Sequence, residues 1–458
     1  MKRSVVFMML LLLCVLMFGG CAKEEGEVLK EASGQAGEFT PFSGQKPDDA
    51  PDAPPEGMGP GQFSPGDFPG NLPAEPDFPM DEKKEMDGSG STGESFPGQA
   101  PVVDEEKLFT DRDLNSSPDL SDAVMVSAKS KSNYTIDTAG IYVLTGEAED
   151  FTVIVEADKK DKVQLVLKDL QVTNVDFPVI YVKSADKCFV TLSGDNALSV
   201  EETFVSDGDI HTDAVIFSKD DLTLNGDGSL TILSAAGNGI SCKDDLRITG
   251  GKYDVTSALD AIEANDSIAV YDGAFVITSN KDAFHCENDE GAGFIYMKDG
   301  SYTISAKSDG IQATSFLMIQ GGDFEITASE GLEATYVQIN GGNISINASD
   351  DGINAARKGS EYDVVIEING GEITIVMGPG DTDGLDANGT IIVNGGTIDV
   401  SGMSTFDADN GSVYNGGTII INGVVSDTIP ESMMGGGGHG GKGGKWSGDG
   451  GKGFRKRH

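Results

Sequence analysis

DGIQATSFLMIQGGDFEITASEGLEATYVQINGGNISINASDDGINAA, residues 309–356, states one pattern twice and begins it a third time. Each copy opens on an acid followed by glycine (Asp309, Glu330, Asp351), runs through alternating apolar residues to a Gly-Gly pair, and alternates again. After Asp309 the apolar positions are Ile311, Ala313, Leu317 and Ile319, and beyond Gly321 and Gly322 they are Phe324, Ile326 and Ala328. Period two predicts strand, not helix. The spacing is 21 or 22 residues wherever no loop intervenes, in the range that marks a solenoid.

Working outward, the openings are DAVIFS at Asp213, NGISCK at Asn238, DAIEAN at Asp260, DAFHCE at Asp282 and, beyond the quoted stretch, DGLDAN at Asp383. No segment carries a helical stripe long enough to cross back over a sheet, so a βαβ layout is excluded. The expected fold is all-β, a right-handed parallel β-helix of roughly a dozen rungs with strands about 4.8 Å apart. Gly-Gly lets the backbone turn corners where a Cβ would clash.

Five regions follow. Residues 1–21 read as a lipoprotein signal: Lys2 and Arg3, a short apolar run, then Gly19, Gly20 and the lipidation candidate Cys21. An ordinary secretory peptide is the other reading, and either one exports the chain. Lipid anchoring would place it on the cell membrane facing outward. Residues 22–117 hold most of the prolines without apolar periodicity and read as a disordered linker. Residues 118–212 carry five short strand runs (141–144, 151–155, 163–167, 179–182 and 189–192) without Gly-Gly punctuation, and read as the capping coils. Residues 213–430 are the regular repeats, and 431–458 a Gly/Lys-rich flexible tail.

With 32 Lys and Arg against 75 Asp and Glu, the net charge of −43 argues against nucleic acid as a partner. The expected state is a monomer. Cys242 and Cys286 share an inward repeat position with Ala264 between them, too far apart to bridge, and read as core filler.

The chemistry lies in carboxylates. Successive openings stack Asp260, Asp282, Asp309, Glu330, Asp351 and Asp383, and three residues on come Glu263, Glu333, Asp386 and Asp407. Carboxylates about 5 Å apart repel by roughly 1 kcal/mol in water and about 3 kcal/mol when partly buried. A hard divalent cation, calcium, relieves this, and the candidate ligands are Asp309, Glu330, Glu333, Asp350, Asp351, Asp381, Asp383, Asp386 and Asp407. The alternative is a solvated ridge, or carboxylates satisfied by backbone N–H groups. Calcium is favoured in the C-terminal coils, and the two readings balance in the earlier ones. Asn225, Gln320, Asn340, Asn369, Asn394 and Asn415 precede the glycine turns and form an expected amide ladder. Tyr271, Tyr296 and Tyr336 fall at outward phases and are the candidates for stacking on a sugar ring, against an incidental surface role.

The succession DTAGIYVLTGEAEDFTVIVEAD, KVQLVLKDLQV, PVIYVKSADKCFVTLSGDNAL, DAVIFSKDDLTLNGDGSLTI, NGISCKDDLRITGGKYDV and the DGI coils, over 121–425, resembles the β-helical carbohydrate-binding domain of clostridial and other bacterial surface lipoproteins. The resemblance implies a pectate-lyase-like β-helix, calcium held by aspartates, and binding to cellulose and to acidic polysaccharide such as polygalacturonate. The chain then reads as a calcium-assisted, non-catalytic carbohydrate-binding protein. The competing reading is a calcium-dependent pectate lyase on the same scaffold, with Arg357 as the candidate base or else as a loop residue paired with Glu361. The third is a structural surface spacer.

Overall fold

The computed structural model describes residues 99–288, 290–380 and 382–430. The signal segment with Cys21, most of the linker, Asp381 and the 431–458 tail lie outside the described residues. Among the described residues the only helix is one turn, Glu105–Leu108, and the rest is a β-solenoid. Twelve parallel strands from Ser132–Ile136 to Ser404–Ala408 form one sheet, here the start ladder, which holds the opening strand of every coil. A 24-stranded sheet carries the other two strands of each coil, joined at the Gly-Gly corner. In the coil opened by Asp260, Ile262–Ala264 lies in the start ladder, Ser267–Val270 in the second ladder and Ala274–Ser279 in the back ladder.

The period-two pattern becomes the core directly. Ile262, Phe284, Ile311, Leu332, Ile353 and Leu385 stack inward in register, as do Ile277, Ile304 and Ile326 on the back ladder, and all are buried. Cys242, Ala264 and Cys286 occupy one inward column, and both thiols are free. The five strand runs of 118–212 all form strands, and these belong to the same three ladders as the repeats. In the first two full coils of that segment the second and back strands are one long bent strand, such as Lys162–Asn174, which turns at Asp169 (φ 51°), and in the next coil Lys187–Ser193 and Asp195–Val200 are separate and turn at Gly194 (φ 71°). One alignment shifts by a residue: Asn238 pairs with Ala214, not Asp213.

Glycine serves at two places in the coils opened by Asp309, Glu330 and Asp351, for different reasons, while Ala261 and Ala283 stand after the opening acid in the two preceding coils. The second glycine of each pair turns the corner at positive φ, as at Gly322 (φ 102°). The glycine after the opening acid lies flat against the next coil: a Cβ on Gly352 would sit 2.5 Å from the Gly384 carbonyl oxygen and against the Ile375 side chain. Gly352→Ala is therefore expected to destabilise the solenoid by about 1–3 kcal/mol through forced displacement of backbone, readable as a lower urea midpoint. The amide ladder is continuous from Asn340 through Asn369 and Asn394 to Asn415, with Nδ2 to Oδ1 distances of 2.8, 2.7 and 2.7 Å. Gln320 and Asn225 stand apart, Asn225 because it donates to the Asp113 carbonyl.

That last bond belongs to the main correction to the domain reading. Residues 99–117 are not linker: they form a strap across the second ladder. Phe109 is 5% exposed, Asp113 is fully buried, and the Leu108 carbonyl accepts from Arg247 Nε at 3.0 Å.

Candidate functional site

The start ladder presents its outward side chains in one row, Ser241, Glu263, His285, Gln312, Glu333, Asn354, Asp386 and Asp407, each paired in register with the next. Beside it runs the column of opening residues. Several of these are satisfied by backbone: Asn238 Oδ1 accepts from the N–H of Asp260, Asp260 Oδ1 from that of Asp282, and Asp282 Oδ1 from that of Asp309, at 2.8–2.9 Å. Asp351 Oδ1 accepts likewise from the Asp383 N–H at 3.0 Å. The structure therefore gives these openings the backbone partners that the alternative to a cation requires.

Among the described residues three carboxylate-rich groups bring ligand atoms within 4.8 Å of one another, and their charge balance separates them. In Asp260, Asp282 and His285, Lys281 Nζ lies 2.8 Å from Asp260 and 3.9 Å from Asp282, so an ammonium already stands where a cation would. His285 Nδ1 sits 3.2 Å from Asp260. Burial opposes its protonation, but the Asp260 carboxylate prevails and raises its pKa. In Asp221, Asp244 and Asp245, Arg247 pairs with Asp245 at 3.2 Å and Lys187 reaches Asp221 at 3.9 Å. Asp244 is left with a pKa pushed up to about 7 by burial and by Asp221, Asp245, Asp266 and Asp220.

The third group, Asp309, Glu330 and Glu333, has one counter-charge among the described residues, Lys358 Nζ at 2.7 Å from Glu333. Here the opening residue is Glu instead of Asp, and the backbone relay stops. Burial, then the charges of Asp282, Glu330 and Glu333, push Asp309 up to about 8. Burial first, then Glu333, Asp351 and Asp350, push Glu330 up to about 7 against the Asn354 amide, which donates to it at 2.9 Å. Asn354 is 8% exposed and its Oδ1 has no partner. A buried carbonyl oxygen without a donor beside three crowded carboxylates is an arrangement of hard oxygen ligands.

The remaining metal candidates continue the ladder without forming such a group among the described residues. Asp350 is exposed. Asp351 is pushed up to about 6 by burial and by Asp350, Asp383 and Glu333. Asp386, in register with Asp407, is pushed up to about 7 by burial and by Asp351, Asp383, Asp407 and Asp409. Asp381 is not described. The residues missed from sequence, His285, Gln312 and Asn354, hold the same offset as Glu263 and Glu333, so the repeat register would have found them.

The tyrosines do project outward, but Tyr296 and Tyr336 do not reach solvent and Tyr271 is half-buried. Tyr296 is 0% and Tyr336 5% exposed, under the strap and the loop bearing Tyr362, whose ring packs on Phe316 and Tyr336. Phe109 meets Tyr271 edge-on at 5.3 Å, and Lys298 Nζ lies 4.1 Å from the centre of the Tyr271 ring. These rings form a satellite core in place of an open stacking platform. Arg357 Nη1 points to the Gly359 and Tyr362 carbonyls at 3.5 and 3.4 Å, not to Glu361, and so belongs to its own loop.

A family described as carbohydrate-binding domain-containing protein matches residues 130–384 and 330–427. A carbohydrate-binding domain-containing protein of Acetivibrio thermocellus is 32% identical over 175 residues, which is 37% of this chain and 60% of that relative. This chain thus matches 60% of the relative's length. A solved structure of a polysaccharide lyase-like protein from C. thermocellum, a gadolinium derivative, is similar at 21% identity with a TM-score of 0.32, covering 68% of this chain and 99% of that one.

Proposed function

The chain belongs to the carbohydrate-binding domain-containing proteins, and from that premise we propose that it binds acidic polysaccharide through a calcium ion held on the start ladder, without cleaving it. The observation that carries this reading is the Asp309, Glu330 and Glu333 group with the partnerless Asn354 Oδ1 beside it. Those four residues would hold the ion, because the donor set is oxygen throughout and, among the described residues, the surplus negative charge there is answered by Lys358 alone. Bound calcium would supply a positive centre able to take oxygens from protein and from a uronate carboxylate together.

The protein's own groups set the rest. Gln312, which donates to Glu333 at 2.8 Å, and Asn354 fix the two glutamates in position. Lys281 fills the equivalent place one coil earlier, so the Asp260 group is a rigid hydrogen-bonded neighbour and not a second calcium site. Attachment to the membrane through Cys21, with the solenoid facing outward, completes the proposal.

A lyase would need a base near this row. Arg357 is turned into its loop, and although burial lowers the pKa of Lys281, the Asp260 and Asp282 carboxylates outweigh burial and hold it above its ordinary value. Both observations favour binding. The test is incubation with polygalacturonate in calcium or in chelator, following sedimented protein and ultraviolet absorbance together. Calcium-dependent sedimentation at constant absorbance is expected. Growing absorbance from unsaturated ends would replace this reading with the lyase, and equal sedimentation in chelator would remove calcium from it.

A further inference from the structure

The strap ends in a contact whose chemistry is that of a bound ligand. Glu105 lays its carboxylate into a fork on the second ladder: Tyr296 Oη donates to Oε1 and Lys298 Nζ to Oε2, both at 2.5 Å. The Lys298 ammonium rests at the same time over the Tyr271 ring, 4.1 Å from its centre. The fork thus offers a cation, a phenolic donor and an aromatic face to one carboxylate. The proximity of Lys298 and Tyr296 outweighs burial and holds Glu105 below the ordinary glutamate range, so it is fully ionised.

The two halves of the strap are held unequally. From Leu108 onward it is fastened by Arg247 on the Leu108 carbonyl, by the buried Phe109 and by the bonds of Asp113 to Thr223, Lys187 and Thr110. Over 99–107 the Glu105 contacts are the polar bonds to the coils among the described residues. Val102 is 80% exposed, and the Lys107 side chain is 72% exposed. The first half is therefore a flap held by one charged pin and by a small apolar contact, in which partly buried Ala100 and Val103 pack on the cluster around Tyr296 and Pro101 is buried, and opening it leaves the second half seated.

We propose that Tyr296, Lys298 and Tyr271 form a carboxylate-binding subsite for uronate sugars, which the chain closes with its own Glu105. The ammonium and the phenol take the two carboxylate oxygens, and the Tyr271 face takes the apolar side of the pyranose. An acidic peptide would satisfy the fork equally but leave the ring face unused, and a neutral sugar would leave the fork unpaired, which sets the ligand class. The subsite lies on a different ladder from the Asp309 group and uses no metal, so it stands or falls separately from the proposed calcium site.

The experiment uses the full chain in chelator, which silences any calcium route. Trigalacturonate, cellotriose and triglutamate are titrated by calorimetry into wild type, Glu105→Ala and Glu105→Ala with Lys298→Met. Equal melting temperatures of the two variants confirm that both are folded, and Glu105→Gln provides a near-isosteric second opening variant. The expected result is at least a tenfold gain in trigalacturonate affinity for Glu105→Ala over wild type, cancelled by Lys298→Met, with no gain for cellotriose and a smaller one for triglutamate. No gain in either Glu105 variant, a gain that survives Lys298→Met, or equal gains for triglutamate would overturn the assignment.

Discussion

Replacing Asp113 with alanine is expected to cost about 3–5 kcal/mol of folding stability, the loss seen when one partner of a buried ion pair is removed. Asp113 is fully buried, with Oδ1 on Thr223 Oγ1 (2.6 Å) and Lys187 Nζ (3.2 Å), and Oδ2 on the backbone and hydroxyl of Thr110 (2.9 and 2.6 Å). Burial alone would raise its pKa, but Lys187 and these donors outweigh it and hold the group ionised. Alanine leaves the Lys187 ammonium, itself 13% exposed, facing Asp221 at 3.9 Å as its remaining partner. The strap loosens with it, since the Asp113 carbonyl also receives Asn225 and Thr249. At roughly 2–4 °C per kcal/mol the melting temperature falls by about 6–20 °C. Asp113→Asn, which keeps the shape and part of the bonding, is expected to lose less. A fall below about 1 kcal/mol for alanine would show that the strap is not part of the folded unit.

In chelator the protein is expected to melt higher at pH 5 than at pH 8, and calcium is expected to narrow that difference. Asp309, Glu330, Asp386 and Asp351 have pKa values raised to about 8, 7, 7 and 6. A carboxyl with a folded value above its unfolded one contributes stability that is complete below the unfolded value, about 4, and is lost as pH rises through the folded value. The four together make the metal-free solenoid lose stability from about pH 4 to about pH 8. A cation requires the same groups ionised, so its stabilisation grows as pH rises, and at a hundredfold excess over the dissociation constant it contributes about 2.7 kcal/mol. Melting scans at both pH values, with and without calcium, read the narrowing directly. A chelated protein that melts higher at pH 8 would contradict the carboxylate crowding.

Most of the scaffold could be read in the sequence, because a solenoid repeats its local rules. Alternation gave two strand runs per coil, the first of which divides at Thr314 and Ser315 into Asp309–Ala313 and Phe316–Ile319, and Gly-Gly marked the corner that Gly322 turns at φ 102°. The opening column was also legible, but its chemistry was not uniform. Asp260 and Asp282 hand an oxygen to the next coil's backbone, while Glu330, in the same column, interrupts that relay and leaves Asp309 among like charges. Only the register between coils separates them. Asn354 and His285 carry no carboxylate and so do not stand out in an acidic column, although the row they occupy follows from the repeat offset.

The strap could not be found that way. Leu108, Phe109 and Asp113 have no periodicity, and their partners Arg247, Tyr271 and Thr223 lie more than a hundred residues on in the chain. The acid-rich flanks of residues 99–117 look like linker because their apolar groups pack on another element's surface rather than on each other. The same contact explains the tyrosines: period two placed them correctly on the outside of the coil, and the strap then covered them.

The central claim, that the Asp309 group holds calcium, is tested most directly by titrating calcium into the metal-free protein by calorimetry at pH 8, beside Asp309→Asn and Lys281→Met. The account predicts a binding isotherm for wild type that Asp309→Asn abolishes, because that variant removes one of the three close carboxylates. It also predicts an additional site in Lys281→Met, where loss of the ammonium leaves Asp260 and Asp282 without their internal cation. An isotherm unchanged by Asp309→Asn, or no heat of binding in wild type, would contradict it.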